Sequence, residues 1–165
     1  MNSSALKTLM LALVGGWGCT LATQAQTFTN GNSALPSTYN SGGCVGFADL
    51  DGDSYDDLII LDQSRVLHTL YQAPNGTFTD FNLGNVSGSS QWGMCVGDFD
   101  NDGHKDVFSG GSYDGVHLMH ITAPGQGNLQ SLGNGSMFMQ ACNMADIDQD
   151  GVLDVFACHD DAVSR

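Results

Sequence analysis

One run of carboxylates is written three times in this chain. Its fullest copy is Asp98-Phe99-Asp100-Asn101-Asp102-Gly103-His104-Lys105-Asp106. A later copy is Asp146-Ile147-Asp148-Gln149-Asp150-Gly151-Val152-Leu153-Asp154, and the earliest is Asp49-Leu50-Asp51-Gly52-Asp53-Ser54-Tyr55-Asp56-Asp57. All fit Asp-x-Asp-x-Asp-Gly-x-x-Asp, save that Ser54 stands where the other two have Gly. Of the 18 acidic residues, every one an Asp, 12 fill the four acidic positions of the three copies. Four carboxylates within nine residues repel one another unless a cation sits among them.

A hard cation such as calcium takes about 6–8 oxygen ligands, and alternating Asp side chains in a tight loop turn toward one centre to supply them. On this reading Asp49, Asp51 and Asp53, then Asp98, Asp100 and Asp102, then Asp146, Asp148 and Asp150 are ligands. Position 7 adds a backbone carbonyl, from Tyr55, His104 or Val152, and position 9 closes the shell with Asp57, Asp106 or Asp154. Magnesium fits less well, because it keeps its waters and wants fewer protein ligands. Gly at position 6 permits a turn at positive φ. Ser54 lacks that freedom, so the first site is expected to be the weakest or most distorted. An EF-hand also opens Asp-x-Asp-x-Asp-Gly, but it needs Glu at position 12 and flanking helices. Position 12 here holds Ile60, Ser109 and Ala157, and the flanks are strand-like. A dockerin fails on the same helices.

No other grouping of residues reads as reactive, and the chain is expected not to be an enzyme. It contains no Glu, no Gly-x-Ser-x-Gly and no His-Glu-x-x-His. His68, His104, His117, His120 and His159 fall at scattered positions. His117 and His120 would face opposite sides of a strand, and His159 beside Asp160 reads as a solvated turn. Trp92 and Tyr113 are candidates for a ligand-facing surface, such as one for sugars, with strand packing as the plainer alternative. The 7 Met residues read as core filling.

The loops recur with a fixed step, 49 residues from Asp49 to Asp98 and 48 from Asp98 to Asp146. Other landmarks keep it: Thr27-Phe28-Thr29 with Thr77-Phe78-Thr79, Ala73-Pro74 with Ala123-Pro124, and Leu83-Gly84-Asn85 with Leu132-Gly133-Asn134. A repeat of that length calls for one supersecondary unit per copy. A short apolar stretch precedes each loop: Cys44 to Ala48, Met94 to Gly97, Met139 to Ala145. Another follows: Leu58 to Leu61, Asp106 to Phe108, Asp154 to Cys158. Lacking alternation, the stretches before the loops are expected to be buried on two faces. Third strands fit Val66 to Tyr71 and Val116 to Ile121, and fourth strands Thr77 to Phe81 and Asn128 to Leu132. Four short strands in some 48 residues with Gly-rich turns predict an all-β fold, a partial β-propeller of about two and a half four-stranded blades, with calcium loops between first and second strands.

These features resemble the FG-GAP or VCBS repeat, the unit of integrin α-type propellers and of many secreted bacterial proteins. Ala48-Asp49-Leu50-Asp51-Gly52-Asp53, Asp57-Leu58 and Asn75-Gly76-Thr77-Phe78-Thr79 carry the likeness. It implies a blade whose first two strands are joined by a calcium loop, and roles in adhesion, ligand binding or accessory parts of enzymes. Such propellers close with about seven blades. The 140 residues from Gln26 to Arg165 encode fewer, so the chain is expected to belong to a longer propeller or to pair with other copies.

Export is expected too. Lys7, the apolar run Leu9 to Val14 and the small-x-small site Thr23-Gln24-Ala25 read as a signal peptide over residues 1–25, cut after Ala25. The apolar run is too short for a membrane span. Lipoprotein anchoring at Cys19 is the less favoured alternative. With net charge −14 and 4 basic residues, the chain is a poor partner for nucleic acid or an anionic membrane. The leading reading is a secreted or cell-surface calcium-binding module for an extracellular protein or glycan ligand. The alternatives are a non-catalytic accessory segment of a larger secreted enzyme, such as a polysaccharide-degrading one, and a structural spacer. Cys142 and Cys158, four residues outside their loop on either side, are expected to face each other across a hairpin. A small apolar pair is favoured there over a disulfide.

Overall fold

The computed structural model describes residues 29–160, so the expected leader and Cys19 lie outside the described residues. The chain divides into Met1–Asn30 and Gly31–Arg165, and all ten strands belong to the second unit. The strands are β1 (Val45–Ala48), β2 (Asp57–Asp62), β3 (Val66–Gln72), β4 (Phe78–Asn85), β5 (Gln91–Gly97), β6 (Asp106–Gly111), β7 (Val116–Ala123), β8 (Gln126–Gly133), β9 (Met139–Ala145) and β10 (Asp154–His159). Each pairs antiparallel with its chain neighbour, giving sheets β1-β2-β3-β4, β5-β6-β7-β8 and β9-β10. The only described helical turn is a 3₁₀ turn at Asn32–Ala34.

The repeat is kept at the level of single residues. Each acidic loop is closed by the same pair: Ala48 with Asp57, Gly97 with Asp106, Ala145 with Asp154. Landmark Leu83-Gly84-Asn85 proves to encode a bulge. Leu67 pairs with Gly84 but His68 pairs with Asn82, leaving Leu83 extra, and Leu132 is extra in the same way between Gly133 and Ser131. Gly84 and Gly133 sit at φ 86° and 83°, a conformation that glycine adopts without the Cβ clash.

Alternate residues of each strand face opposite sides, and the sheets stack through those faces. Ile59, Leu61, Leu67 and Tyr71 of the first sheet pack on Val107, Met119 and Ile121 of the second. Phe108, Val116 and Leu118, from the other side of the second sheet, pack with Met139, Met144 and Val155 of the third. Each fully buried Leu or Ile contributes about 1.5–3 kcal/mol. Met119 and Met139 are core residues, as expected.

The outer faces have no further sheet against them among the described residues. On the first sheet, Leu58, Ile60 and Leu70 are partly covered by Leu35 and Tyr39, and the Tyr39 hydroxyl donates to Asp80 Oδ2 at 2.9 Å. Phe47 on that side is 70% exposed, although its repeat equivalents Val96 and Met144 pack against a neighbouring sheet. At the other end Phe156 is 66% exposed, although its equivalents Ile59 and Phe108 are buried.

Three expectations are corrected. The stretches before the loops are not buried on both faces: β1 and β9 are half-exposed, because each lies in an end sheet where one face meets no further sheet, and Met94 to Gly97 of β5 are only partly buried; β2, beside β1, is covered on its outer side by Leu35 and Tyr39. Cys142 lies opposite Ala157, and Cys158 opposite Ala141. The same offset holds in the other repeats, with Val45 opposite Ile60 and Met94 opposite Ser109. The reason is that the residue before the loop, not its first Asp, pairs with the ninth-position Asp, which shifts the register by one. His159 ends β10 opposite Met139 and accepts a bond from Phe138 N–H at 3.2 Å, so it is not in a turn.

Candidate metal centre

Backbone amides hold the loop carboxylates in a pattern that recurs. Each position-5 N–H donates to the position-3 carboxylate: Asp53 to Asp51, Asp102 to Asp100, Asp150 to Asp148, at 3.3, 3.2 and 3.2 Å. Each position-7 N–H, from Tyr55, His104 or Val152, donates to the position-5 carboxylate at 2.8 Å. The position-6 N–H returns to position 1: Ser54 to Asp49, Gly103 to Asp98, Gly151 to Asp146. Short Asp side chains reach their own downstream amides in this way, which is why they dominate such turns.

The ladder gathers oxygens. Asp49, Asp51 and Asp53 bring ligand atoms within 4.8 Å of one another, as do Asp98, Asp100 and Asp102. In the third loop the convergent set is Asp146, Asp148 and Asp154, so position 9 replaces Asp150 there. Like charges at such separations cost about 1 kcal/mol per pair even with water-like screening. Neighbouring loops also touch: Lys105 N–H donates to Leu50 O at 3.3 Å, and the Asn101 side-chain amide to Gly151 O at 3.1 Å. Of the position-7 residues, Tyr55 and Val152 expose their side chains, and His104 Nδ1 is buried with no partner.

Position 9 has a second duty. Asp57, 1% exposed, accepts Leu50 N–H on one oxygen and Gln72 N–H on the other, at 2.9 and 2.8 Å. Asp106, also 1% exposed, accepts Phe99 N–H and Ile121 N–H, both at 3.0 Å. Asp154 accepts Ile147 N–H at 3.0 Å. In the first two repeats the carboxylate therefore pins its loop to the third strand. Each oxygen keeps a second lone pair for a cation. Burial lifts the Asp57 and Asp106 carboxyls above their ordinary range, against the pull of those amides. The charged form thus carries a cost above the raised pKa that falls away as the pH drops through it.

Two residues near these sites escape sequence reasoning. His120 Nδ1 stands 3.5 Å from Asp100 Oδ2 and 3.8 Å from Asp106 Oδ2. Tyr71 holds the matching place over the first loop, and burial and then the Asp57 charge push its hydroxyl up to about 12. The available signal was alignment of the repeats, since each residue precedes the third-strand amide that binds position 9. His117 faces the other way, toward Asp114, so the two His do not meet.

The expectation for Ser54 needs revision. Positions 4 and 6 both take positive φ in every loop: Gly52 80° and Ser54 72°, Asn101 59° and Gly103 94°, Gln149 63° and Gly151 90°. Each loop therefore has one glycine and one strained residue. The first loop carries its glycine at position 4, and Ser54 bears the strain that Asn101 and Gln149 bear elsewhere.

The donor set fits a hard divalent cation. Its convergent side-chain atoms are carboxylate oxygens, and Asp98 Oδ1 is buried with no hydrogen-bond partner, an orphaned acceptor that a cation would satisfy. A family model described as an FG-GAP-like repeat matches residues 49–109 and again residues 98–157. No curated protein matches the chain.

Replacing Asp57 strands two amides, so Asp57→Ala is expected to cost about 2–4 kcal/mol in urea unfolding, with exposed Asp56→Ala costing under about 0.5 kcal/mol. An equal effect of the two would remove the pinning role. Ser54→Gly keeps the amide bond to Asp49 and relieves positive φ. It is expected to stabilise the protein by about 1 kcal/mol in the same assay, and a loss of stability would contradict the strain assigned to Ser54.

Proposed function

Since this chain belongs to the FG-GAP-like repeat family, we propose that it is an exported calcium-binding β-propeller segment that serves as a binding or adhesion module. The observation that carries the calcium reading is the thrice-built cluster of carboxylates, with its orphaned oxygen at Asp98. Asp49, Asp51 and Asp53, Asp98, Asp100 and Asp102, and Asp146, Asp148 and Asp154 would hold the ions, with position-7 carbonyls and the remaining position-9 and position-5 carboxylates available to complete them. The bound ion supplies positive charge, not chemistry. It offsets repulsion within each loop and the cost of ionising Asp57 and Asp106 in their buried places.

Each sheet is read as a blade, the third by its first two strands. The exposed Phe47 and Phe156 faces support a setting in which further repeats, in a longer chain or another copy, stack at each end. For ligand contact the favoured surface lies at the end away from the acidic loops. Trp92, 47% exposed, donates its indole N–H to Ser112 Oγ at 2.8 Å, and Tyr113, 52% exposed, adjoins that serine. Half-exposed aromatic rings beside polar hydroxyls suit a sugar face or a protein side chain. Among the described residues no helix is long and apolar enough to cross a membrane.

Calcium added to chelator-treated protein is expected to raise Tm, by about 2.7 kcal/mol of stability per independent site at hundredfold excess over Kd. No shift, with no calcium by elemental analysis, would end the calcium reading. Glycan-array and cell-surface binding, run with and without EGTA, should show a signal that Trp92→Ala reduces. No binding in either state would leave the module a spacer.

A further inference from the structure

The four described cysteines are free thiols, yet two of them meet across different sheets. Cys95 sits in β5 between Gly93 and Gly97, and residues two apart in a strand share a face. That face has little side-chain bulk, so β9 comes close. A Cβ placed on Gly93 would stand 3.1 Å from Ala141 Cα, and one on Gly97 would stand 2.9 Å from Met144 Sδ. Cys142 enters the same gap from β9. Its Sγ lies 4.0 Å from the carbonyl oxygen of Phe108, the residue paired with Cys95 in the β5–β6 ladder. Both thiols pack around Phe108, Leu118 and Met139, and both are partly exposed.

We propose that Cys95 and Cys142 are a disulfide-forming pair that ties the second repeat to the third. The other two cysteines do not compete. Cys158 is out of register with Cys142, and Cys44 is 2% exposed, with burial pushing its thiol up to about 11. The oxidant is a small disulfide such as oxidised glutathione. The neighbouring Cys142 thiol lowers the Cys95 pKa, so Cys95 is the attacking thiolate. Its sulfur bonds to one glutathione sulfur and expels the other as a thiolate. Cys142 then gives its proton to solvent, attacks Cys95 Sγ and expels the second glutathione thiolate. Two protein thiols are oxidised, one glutathione disulfide is reduced, and the two released protons end on the two glutathione thiols. The cross-link closes the segment from β5 to β9, which restricts the unfolded chain and stabilises the folded one.

The test uses the full chain, reduced, freed of reductant, then incubated folded with oxidised glutathione. Thiol counting should show two thiols lost per chain, and a non-reducing peptide map should link the Cys95 peptide to the Cys142 peptide. Tm should rise by roughly 5 °C or more and fall back on reduction. Cys158→Ala should behave as the wild type, and Cys95→Ala and Cys142→Ala should give no linked peptide and no rise. Should either of those two variants not fold, the wild type and Cys158→Ala still decide the matter. A peptide joining Cys142 to Cys158, a glutathione adduct that stops at one cysteine, or a folded protein that keeps its thiols would each overturn the pairing.

Discussion

The structure depends on a carboxylate shared between a loop and a strand. Asp57 and Asp106 each accept two amides, one from the second residue of the acidic loop and one from the last part of the third strand. That arrangement fixes the loop relative to the sheet and orients the inward-facing Asp side chains of positions 1, 3 and 5. It also places a buried negative charge beside other negative charges, which burial alone would disfavour. The fold and the proposed cation site are thus coupled. The residue that organises the hairpin raises the electrostatic cost that a bound cation would offset.

Much of the fold was legible in the sequence. The loop spacing and the apolar stretches around it mark all ten strands, because a repeat supplies each boundary more than once. Strand ends were less legible. β4 runs to Asn85 and β8 starts at Gln126, beyond the expected limits, because Gly-containing segments still pair where a bulge accommodates the extra residue. Register was misread by one residue at the third loop, and the same offset recurs at the other two. Periodicity says which residues alternate but not which pair closes a turn, and here Ala48, Gly97 and Ala145 take the place that symmetry assigns to the first Asp.

The carboxylate clusters were legible in the sequence, but their surroundings were not. Asp at positions 1, 3 and 5 converges in the first two loops, and at positions 1, 3 and 9 in the third, because the loop itself positions it. His120 and Tyr71 arrive from the third strand, and no local pattern announces them. The strain at Ser54 was visible, but its relief at Gly52 was not, because positive φ is needed at two places per loop and the consensus shows glycine at one. The meeting of Cys95 with Cys142 has a sequence signal only in hindsight. Glycine two residues to either side of a strand cysteine leaves a gap wide enough for another strand's side chain.

The two exposed end faces are not alike. One displays Phe47 beside Leu58 and Ile60, and the other displays Phe156, a partner type that inside the chain always meets the first kind. Surfaces of two different kinds cannot build an isologous dimer about a two-fold axis. Stacking of one kind on the other is heterologous, and its geometry has two outcomes: a ring if the rotations close, a filament if they do not.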